Sequence, residues 1–294
     1  MPRRRRRVLI VAGVAVVALV AVVWAVQRGG DHDDQVVSQE DPGVTHVHGL
    51  GVDPADGTLY AATHHGVFRI PEQGQATRVA DRFQDTMGFT VTGPNRFLAS
   101  GHPDFSDKEL FQEGRDPHLG LIQSTDAGQT WKALSLLGEA DFHGLAAAHG
   151  RIYGYSATSG EFMVSPDGKT WERRSRIGLV SFAVDPDDPE HVVATTQTGL
   201  VASTDGGRNW QPIAGPPLAF LSWDREGGLW GAGPDGGVHR SVDRGSTWEL
   251  QGRLPGTPEA LLVDGSALYA AVSEEGIFRS HDSGRTWQLR YRDP

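Results

Sequence analysis

Histidine is the residue type whose placement in this chain most favours chemistry. Eight of the 12 histidines lie between His46 and His149, and three lie beyond that stretch. Neutral imidazole is a common protein ligand for zinc, copper and nickel. The chain has no cysteine, which excludes thiol nucleophiles, iron–sulfur clusters and Cys-ligated zinc. Any metal site must therefore use His, Met, Asp or Glu.

Candidate metal ligands occur in short strings in the first half of the chain. They are His46, His48, His64, Met87, His102 and His143. Imidazoles with one thioether suit copper best, with zinc or nickel next. A ligating imidazole must be neutral, so we expect affinity for metal to fall below about pH 6.5. A structural role stays open for each residue, because a single histidine bonded to backbone is common and a lone Met usually fills space.

The elements that must position these residues belong to a repeat. The pattern Ser-x-Asp-x-Gly-x-Thr-Trp recurs, with small departures, at residues 124–131, 165–171, 203–210, 241–248 and 280–287. Its tryptophans are 40, 39, 38 and 39 residues apart, a period that predicts one four-stranded unit per repeat. Counting strand starts predicts six units, near 44–80, 86–136, 142–175, 179–215, 218–253 and 258–292. A closing strand from Val36 and Val37 would change this number by one.

The histidines interrupt the repeat at one aligned position. The predicted innermost strands align on Leu50, Phe89, Leu145, Phe182, Leu221 and Leu261. Two residues earlier, the six units have His48, Met87, His143, Val180, Ala219 and Glu259. In a closed ring, units six, one, two and three are neighbours, so we expect one polar and one apolar side at one mouth of the axial channel.

Further histidines are expected at the same mouth. His46 and His48 are two residues apart, so strand alternation predicts that both point to one side. The loops after the second strands hold His64 and His102 and are expected to open there as well. Unit two has a long insertion, residues 101–119, that is rich in acids and typical of a functional loop or lid. Its acids include Asp104, Asp107, Glu109 and Asp116.

The N-terminus predicts a membrane anchor. Residues 3–7 are arginines, and residues 8–26 are 19 apolar residues without a charge, long enough to span a bilayer as a helix. The arginines predict a cytoplasmic N-terminus and an exported remainder. Residues 1–28 are thus expected to form the arginine cluster and anchor, residues 29–43 an acidic linker, and residues 44–294 the propeller. A cleaved signal peptide, which would release the protein, is the alternative.

Charge narrows the class of partner. The chain has 27 Lys and Arg against 37 Asp and Glu, and six of the arginines lie in residues 1–28. The remaining 21 cations leave the predicted exported part at −16. Such a surface repels phosphate backbones, so nucleic-acid binding is not expected.

The repeated turn is the Asp-box, or BNR, motif, and the chain resembles the Asp-box β-propellers. That superfamily includes sialidases, sortilin-type receptors and photosystem assembly factors. The resemblance implies that the box is structural and lies opposite the functional face. The histidine strings also look like a family of bacterial exported Asp-box proteins labelled glycosyl hydrolases by homology. Phe68-Arg69-Ile70-Pro71 matches a sialidase string, but its place in the third strand predicts an outer position for Arg69.

The sequence therefore predicts an all-β, six-bladed β-propeller behind one transmembrane helix, on the extracytoplasmic side of the cell membrane. The favoured function is non-catalytic binding of a transition metal, copper or zinc, or of a partner at the mouth formed by blades one to three. A sialidase-like glycoside hydrolase acting on extracellular glycans is one alternative. A protein-binding assembly factor or receptor is the other. Fold alone does not choose among them.

Overall fold

The computed structural model describes residues 42–225 and 228–293, which form six antiparallel sheets of four strands each. Every sheet uses four strands that are consecutive in the chain. Alternating hydrophobic residues between glycine and aspartate turns explain why each repeat folds as a four-stranded meander. The prediction of an all-β, six-bladed propeller is confirmed.

Blades 1 to 3 contain strands β1 to β12. In blade 1 these are β1 (Val47–Val52), β2 (Leu59–Thr63), β3 (Gly66–Ile70) and β4 (Thr77–Arg78), followed by a 3-10 turn (Val79–Asp81). In blade 2 they are β5 (Asp85–Gly93), β6 (Arg96–His102), β7 (Leu121–Ser124) and β8 (Lys132–Ser135). In blade 3 they are β9 (Phe142–Ala148), β10 (Arg151–Ser156), β11 (Glu161–Ser165) and β12 (Glu172–Arg176).

Blades 4 to 6 contain strands β13 to β24. In blade 4 these are β13 (Ser181–Val184), β14 (Val192–Thr196), β15 (Gly199–Ser203) and β16 (Gln211–Pro212). In blade 5 they are β17 (Phe220–Trp223), β18 (Leu229–Ala232), β19 (Gly237–Ser241) and β20 (Glu249–Arg253). In blade 6 they are β21 (Pro258–Asp264), β22 (Ala267–Val272), β23 (Gly276–Ser280) and β24 (Gln288–Tyr291).

The first strand of each blade lies innermost, and the six inner strands contact one another around a closed ring. They enclose an axial cavity of about 570 Å³. Blades 6 and 1 are joined by side-chain contacts rather than by a shared strand. Glu259 Oε2 accepts the Val47 N–H at 3.0 Å, and Asp293 Oδ2 accepts the Val44 N–H at 2.5 Å. The described residues form six four-stranded sheets, and Val36 and Val37 lie outside the described part of the chain.

The five Asp boxes form the turns between the third and fourth strands of blades 2 to 6. In blade 5, Ser241 Oγ accepts the Gly245 N–H at 2.8 Å and donates to Asp243 Oδ1 at 2.8 Å. Hydrogen bonds from the side chain and backbone of Thr247 lower the pKa of Asp243 to about 2. The box carboxylates therefore hold the hairpins, at the end of each meander opposite the start of its inner strand.

Arg69 lies on β3, the third strand of blade 1, as the sequence predicts. Its Nη2 atom is 3.9 Å from Asp56 Oδ2 and half of its side chain is exposed. The sialidase-like string therefore contributes no arginine to the axial channel.

The predicted arginine cluster, membrane helix and most of the acidic linker fall within residues 1–41, outside the described part of the chain. Among residues 42–225 and 228–293 there is no helix of the length and hydrophobicity that a membrane span requires. The anchor remains a prediction from sequence.

Candidate metal centre

The aligned position of the repeat is a β-bulge in four blades. The bulge residues are His48 in blade 1, Met87 in blade 2, His143 in blade 3 and Glu259 in blade 6. A bulge places one extra residue against the partner strand and turns its side chain out of the pleat. In blades 4 and 5 the inner strands pair in regular register, and Val180 and Ala219 precede them. The polar side of the mouth thus coincides with the bulged blades.

Three imidazoles from blade 1 converge at this mouth. His48 Nε2 lies 3.2 Å from His64 Nδ1, and the His46 ring stacks on the His64 ring with centroids 4.9 Å apart. One ligand atom from each of the three rings lies within 4.8 Å of the others. His64 belongs to the turn between β2 and β3, so the expectation that this turn opens on the mouth is correct.

His46 reaches the group by a route that differs from the expected strand alternation. It precedes β1 and has φ of 51°, in the left-handed region that few residues other than glycine adopt. The bulge at His48 also breaks the two-residue periodicity. His46 Nδ1 lies 3.3 Å from Glu259 Oε1, so the carboxylate of blade 6 orients the ring. The two histidines do converge, but through a turn and a bulge.

Asp85 extends the cluster from blade 1 to blade 2. Its Oδ1 lies 2.9 Å from His64 Nδ1 and 3.9 Å from His48 Nε2. Its Oδ2 accepts a hydrogen bond from His102 Nδ1 at 3.0 Å. One carboxylate therefore contacts histidines of two blades.

A second group lies on the blade 2 and blade 3 side of Asp85. His102, His118 and Asp141 each offer a ligand atom within 4.8 Å of the others. His102 Nε2 is 3.7 Å from Asp141 Oδ2, and His143 Nε2 is 2.8 Å from the same oxygen. The Asp141 side chain is only 7% exposed, so its charge depends on these rings for compensation.

The two groups differ in their protonation equilibria. Burial, together with the neighbouring His64, lowers the pKa of His48 to about 4, so this ring is neutral at pH 7. The hydrogen bond to Asp85 raises the pKa of His102. Burial opposes ionisation of Asp85, but its hydrogen bonds with His102 and His64 outweigh burial and lower its pKa. The mouth thus combines a charged carboxylate with a neutral imidazole.

The candidate ligands are distributed unevenly over the two groups. His46, His48 and His64 form the first group, while His102 and His143 meet at Asp141 in the second. Met87 is the half-buried bulge residue of β5, but the side chain of this strand that contacts the imidazoles is Asp85. In the insertion, Asp104 accepts the Ser106 N–H and Asp107 pairs with Arg82, so these two acids stabilise the loop itself.

Sequence reasoning missed Asp85, His118 and Asp141 as members of the cluster. A signal for two of them was present four residues before the aligned hydrophobic positions. That column has His46, Asp85 and Asp141 in blades 1 to 3, and Gly178, Pro217 and Thr257 in blades 4 to 6. His118 follows an insertion without a counterpart in the other repeats, so no alignment of repeats would have found it.

The fold and this mouth define a six-bladed propeller with Asp-box hairpins and one polar, histidine-rich half of its channel entrance. No protein-family model matches the chain. It is 24% identical over 254 residues to the xyloglucanase Xgh74A of Acetivibrio thermocellus, covering 70% of this chain and 28% of that protein. The chain therefore spans less than a third of that relative.

A second curated relative is the photosystem II assembly lipoprotein Ycf48 of Prochlorococcus marinus, 27% identical over 143 residues that cover 44% of this chain and 42% of that protein. Among solved structures, a gluconolactonase from Xanthomonas campestris has a TM-score of 0.61 at 17% identity, over 79% of this chain and 84% of that one. Ycf48 bound to D1 peptide has a TM-score of 0.54 at 16% identity, over 85% and 82%. At these identities the structural likeness shows the fold alone.

Proposed function

We propose that this propeller binds a transition-metal ion at the mouth of its axial channel, through His46, His48 and His64 of blade 1 with Asp85 of blade 2. The observation that carries the proposal is that one ring nitrogen from each of the three histidines lies within 4.8 Å of the others, with Asp85 Oδ1 2.9 Å from His64 Nδ1. Three imidazoles and a carboxylate suit copper(II) and zinc, and the order of intrinsic affinities places copper first.

The spacing of the donor atoms fits one ion. Two donors held about 2.1 Å from a tetrahedral ion lie about 3.4 Å apart. The observed separations are 3.2 Å between His48 Nε2 and His64 Nδ1, 2.9 Å from His64 Nδ1 to Asp85 Oδ1, and 3.9 Å from His48 Nε2 to the same oxygen. They bracket the ideal value, so small rotations of the side chains would bring these donors onto one ion.

Protonation and outer contacts support the same role. The lowered pKa of His48 keeps a lone pair available to a metal at neutral pH. The contact between His46 Nδ1 and Glu259 leaves Nε2 as the free ligand atom of His46. A carboxylate on the second nitrogen of a ligating histidine is a common feature of metal sites and raises ligand basicity.

We place this site on the extracytoplasmic side of the membrane, with residues 8–26 as the anchor. The support is the charge pattern of residues 1–28, a run of arginines followed by an uninterrupted apolar segment. Fractionation of cells that express the full chain, followed by protease treatment of intact cells, tests this placement. Protection of the propeller from external protease in cells without an outer barrier would contradict it.

Metal binding is tested by equilibrium dialysis of the full-length protein against copper(II) and, separately, zinc, followed by elemental analysis. The wild type is expected to bind metal, and the His48→Ala/His64→Ala double variant to lose the ion of the first group. His281→Ala is the matched control, because His281 is exposed in the Asp box of blade 6 at the opposite end of the propeller. Equal metal content in wild type and double variant would overturn the proposal.

Binding of an exported protein segment is the second candidate function. The insertion of blade 2 exposes 69% of Phe105, whose ring packs edge-to-face on Phe111 with centroids 5.4 Å apart. An exposed aromatic side chain supported by a second ring is a typical anchor for a partner. A photo-crosslinker at position 105 is expected to capture one partner that the same probe at Leu289, an exposed residue of β24, does not capture. Identical adducts at both positions would remove this candidate.

A further inference from the structure

We propose that the mouth holds a second, separate metal position formed by His102, His118 and Asp141 at the base of the blade 2 insertion. This inference rests on the proposed metal-binding function and extends it from one ion to two. The ligand atoms of these three residues lie within 4.8 Å of one another, a grouping distinct from that of His46, His48 and His64.

The orientation of His102 separates the two positions. Its Nδ1 atom donates to Asp85 Oδ2 at 3.0 Å, so this nitrogen faces the first group and carries the proton. Its Nε2 atom points away and lies 3.7 Å from Asp141 Oδ2. The proton on Nδ1 leaves the Nε2 lone pair as the ligand atom toward Asp141 and His118. Asp85 thereby serves as ligand at the first position and as the orienting carboxylate of a ligand at the second.

Two buried atoms at the second position lack hydrogen-bond partners. They are Nδ1 of His118 and Oδ1 of Asp141. Buried polar atoms are paired in the great majority of cases, and an orphaned pair at one place indicates a missing water or ion. Asp141 Oδ2 is already shared by His102 and His143, which leaves Oδ1 of this nearly buried carboxylate available to a cation.

A second ion would constrain the blade 2 insertion, because its ligands lie at the two ends of that loop. His102 ends β6, His118 stands shortly before β7, and the insertion lies between them. An ion bound to both residues would close this loop at its base. Like a cross-link, it would restrict the conformations that the loop can adopt. The loop carries exposed Lys108 and Arg115, so its opening is measurable by trypsin.

Zinc stoichiometry by equilibrium dialysis of the full-length protein tests the inference. The wild type and His281→Ala are expected to bind two zinc ions per chain. His118→Ala and the His48→Ala/His64→Ala variant are each expected to bind one. One ion in the wild type that His118→Ala does not remove would overturn the second position and leave the first in place. No zinc in the wild type would overturn both positions.

Trypsin cleavage after Lys108 supplies a second readout. Zinc is expected to slow this cleavage at least tenfold in wild type and in the His48→Ala/His64→Ala variant, but not in His118→Ala. His118→Gln guards against misfolding, because it keeps a polar side chain of similar reach while removing the imidazole. Protection by zinc that persists in both His118 variants, at unchanged thermal stability, would contradict the inference.

Discussion

The two halves of the channel mouth share one backbone plan and differ at the start of the inner strand. Blades 6, 1, 2 and 3 carry a bulge at the entry of the inner strand, and Glu259, His48, Met87 and His143 occupy it. Blades 4 and 5 pair in regular register, with Val180 and Ala219 at the aligned position. The repeat provides the same scaffold in both halves of the mouth. At the bulges, this scaffold presents side chains to the candidate site.

The residue that follows the aligned position is a second difference between the blades. Gly49, Gly88 and Gly144 each follow the bulge residue of blades 1, 2 and 3, whereas blades 4 to 6 have Ser181, Phe220 and Ala260 there. A Cβ atom on Gly88 would lie 2.3 Å from the backbone oxygen of Phe142 on the neighbouring blade. Close approach of adjacent inner strands therefore requires glycine on the side of the mouth where ligands from different blades must meet.

The largest effect is expected from Gly88→Ala. The added methyl group must push β5 away from β9, because the clash is with backbone rather than with a flexible side chain. We expect about 3 kcal/mol loss of unfolding free energy and loss of the second metal position, measured by urea denaturation and zinc dialysis. Ala183→Gly on β13 is the control in the regular half, expected to lose stability without changing zinc binding. Wild-type stability and stoichiometry in Gly88→Ala would show that close approach is not needed.

Lowering the pH is expected to destabilise the metal-free propeller through protonation of His48 at the channel mouth. The pKa of His48 is about 4 in the folded protein against 6.5 for an ordinary histidine, so the unfolded chain binds more protons between these values. Stability should therefore fall as pH drops from about 6.5 to about 4, by up to about 3 kcal/mol from this residue. The groups around His48 are His64, Asp85, His46 and His143.

Urea denaturation with chelator at pH 7, 5.5 and 4.5 measures this slope, with His48→Gln as the comparison. The variant is expected to lose less stability on acidification than the wild type. The raised pKa of His102 adds a slope of opposite sign, but it does so in both proteins and cancels in the difference. Parallel curves for wild type and variant would show that His48 is not held neutral by the fold.

A smaller effect, confined to stability, is expected at an Asp box. Ser241→Ala removes the acceptor of the buried Gly245 N–H in blade 5, and an unpaired buried donor costs about 1–3 kcal/mol. Metal content should not change, because the box is at the opposite end of the blade from the mouth. Thermal melting and zinc dialysis measure the two effects. A loss of zinc in a variant that still folds would show that the Asp box affects the metal site.

The sequence predicts the features that every blade repeats and misses those that occur only at the channel mouth. The spacing of Trp131, Trp171, Trp210, Trp248 and Trp287 predicts the blades, because every blade needs the same hairpin turn. The mouth departs from the repeat, so periodicity marks the aligned position but not the geometry that uses it. The bulge at His48 and the left-handed backbone of His46 depend on neighbouring blades. Asp85 and Asp141 resemble ordinary turn acids until the closed ring places them between imidazoles.

The smallest effect is expected from Val180→His, which tests whether residue type alone makes a ligand. Val180 is half exposed and lies directly before β13, and its N–H donates to Thr195 O at 2.9 Å. A histidine at this position is expected to stay solvated, to change stability by no more than about 0.5 kcal/mol, and to leave the zinc stoichiometry unchanged. A gain of one zinc ion would mean that any histidine at the mouth recruits metal. An unchanged stoichiometry would show that a histidine at the aligned position also needs neighbouring ligands, such as His64 and Asp85 beside His48.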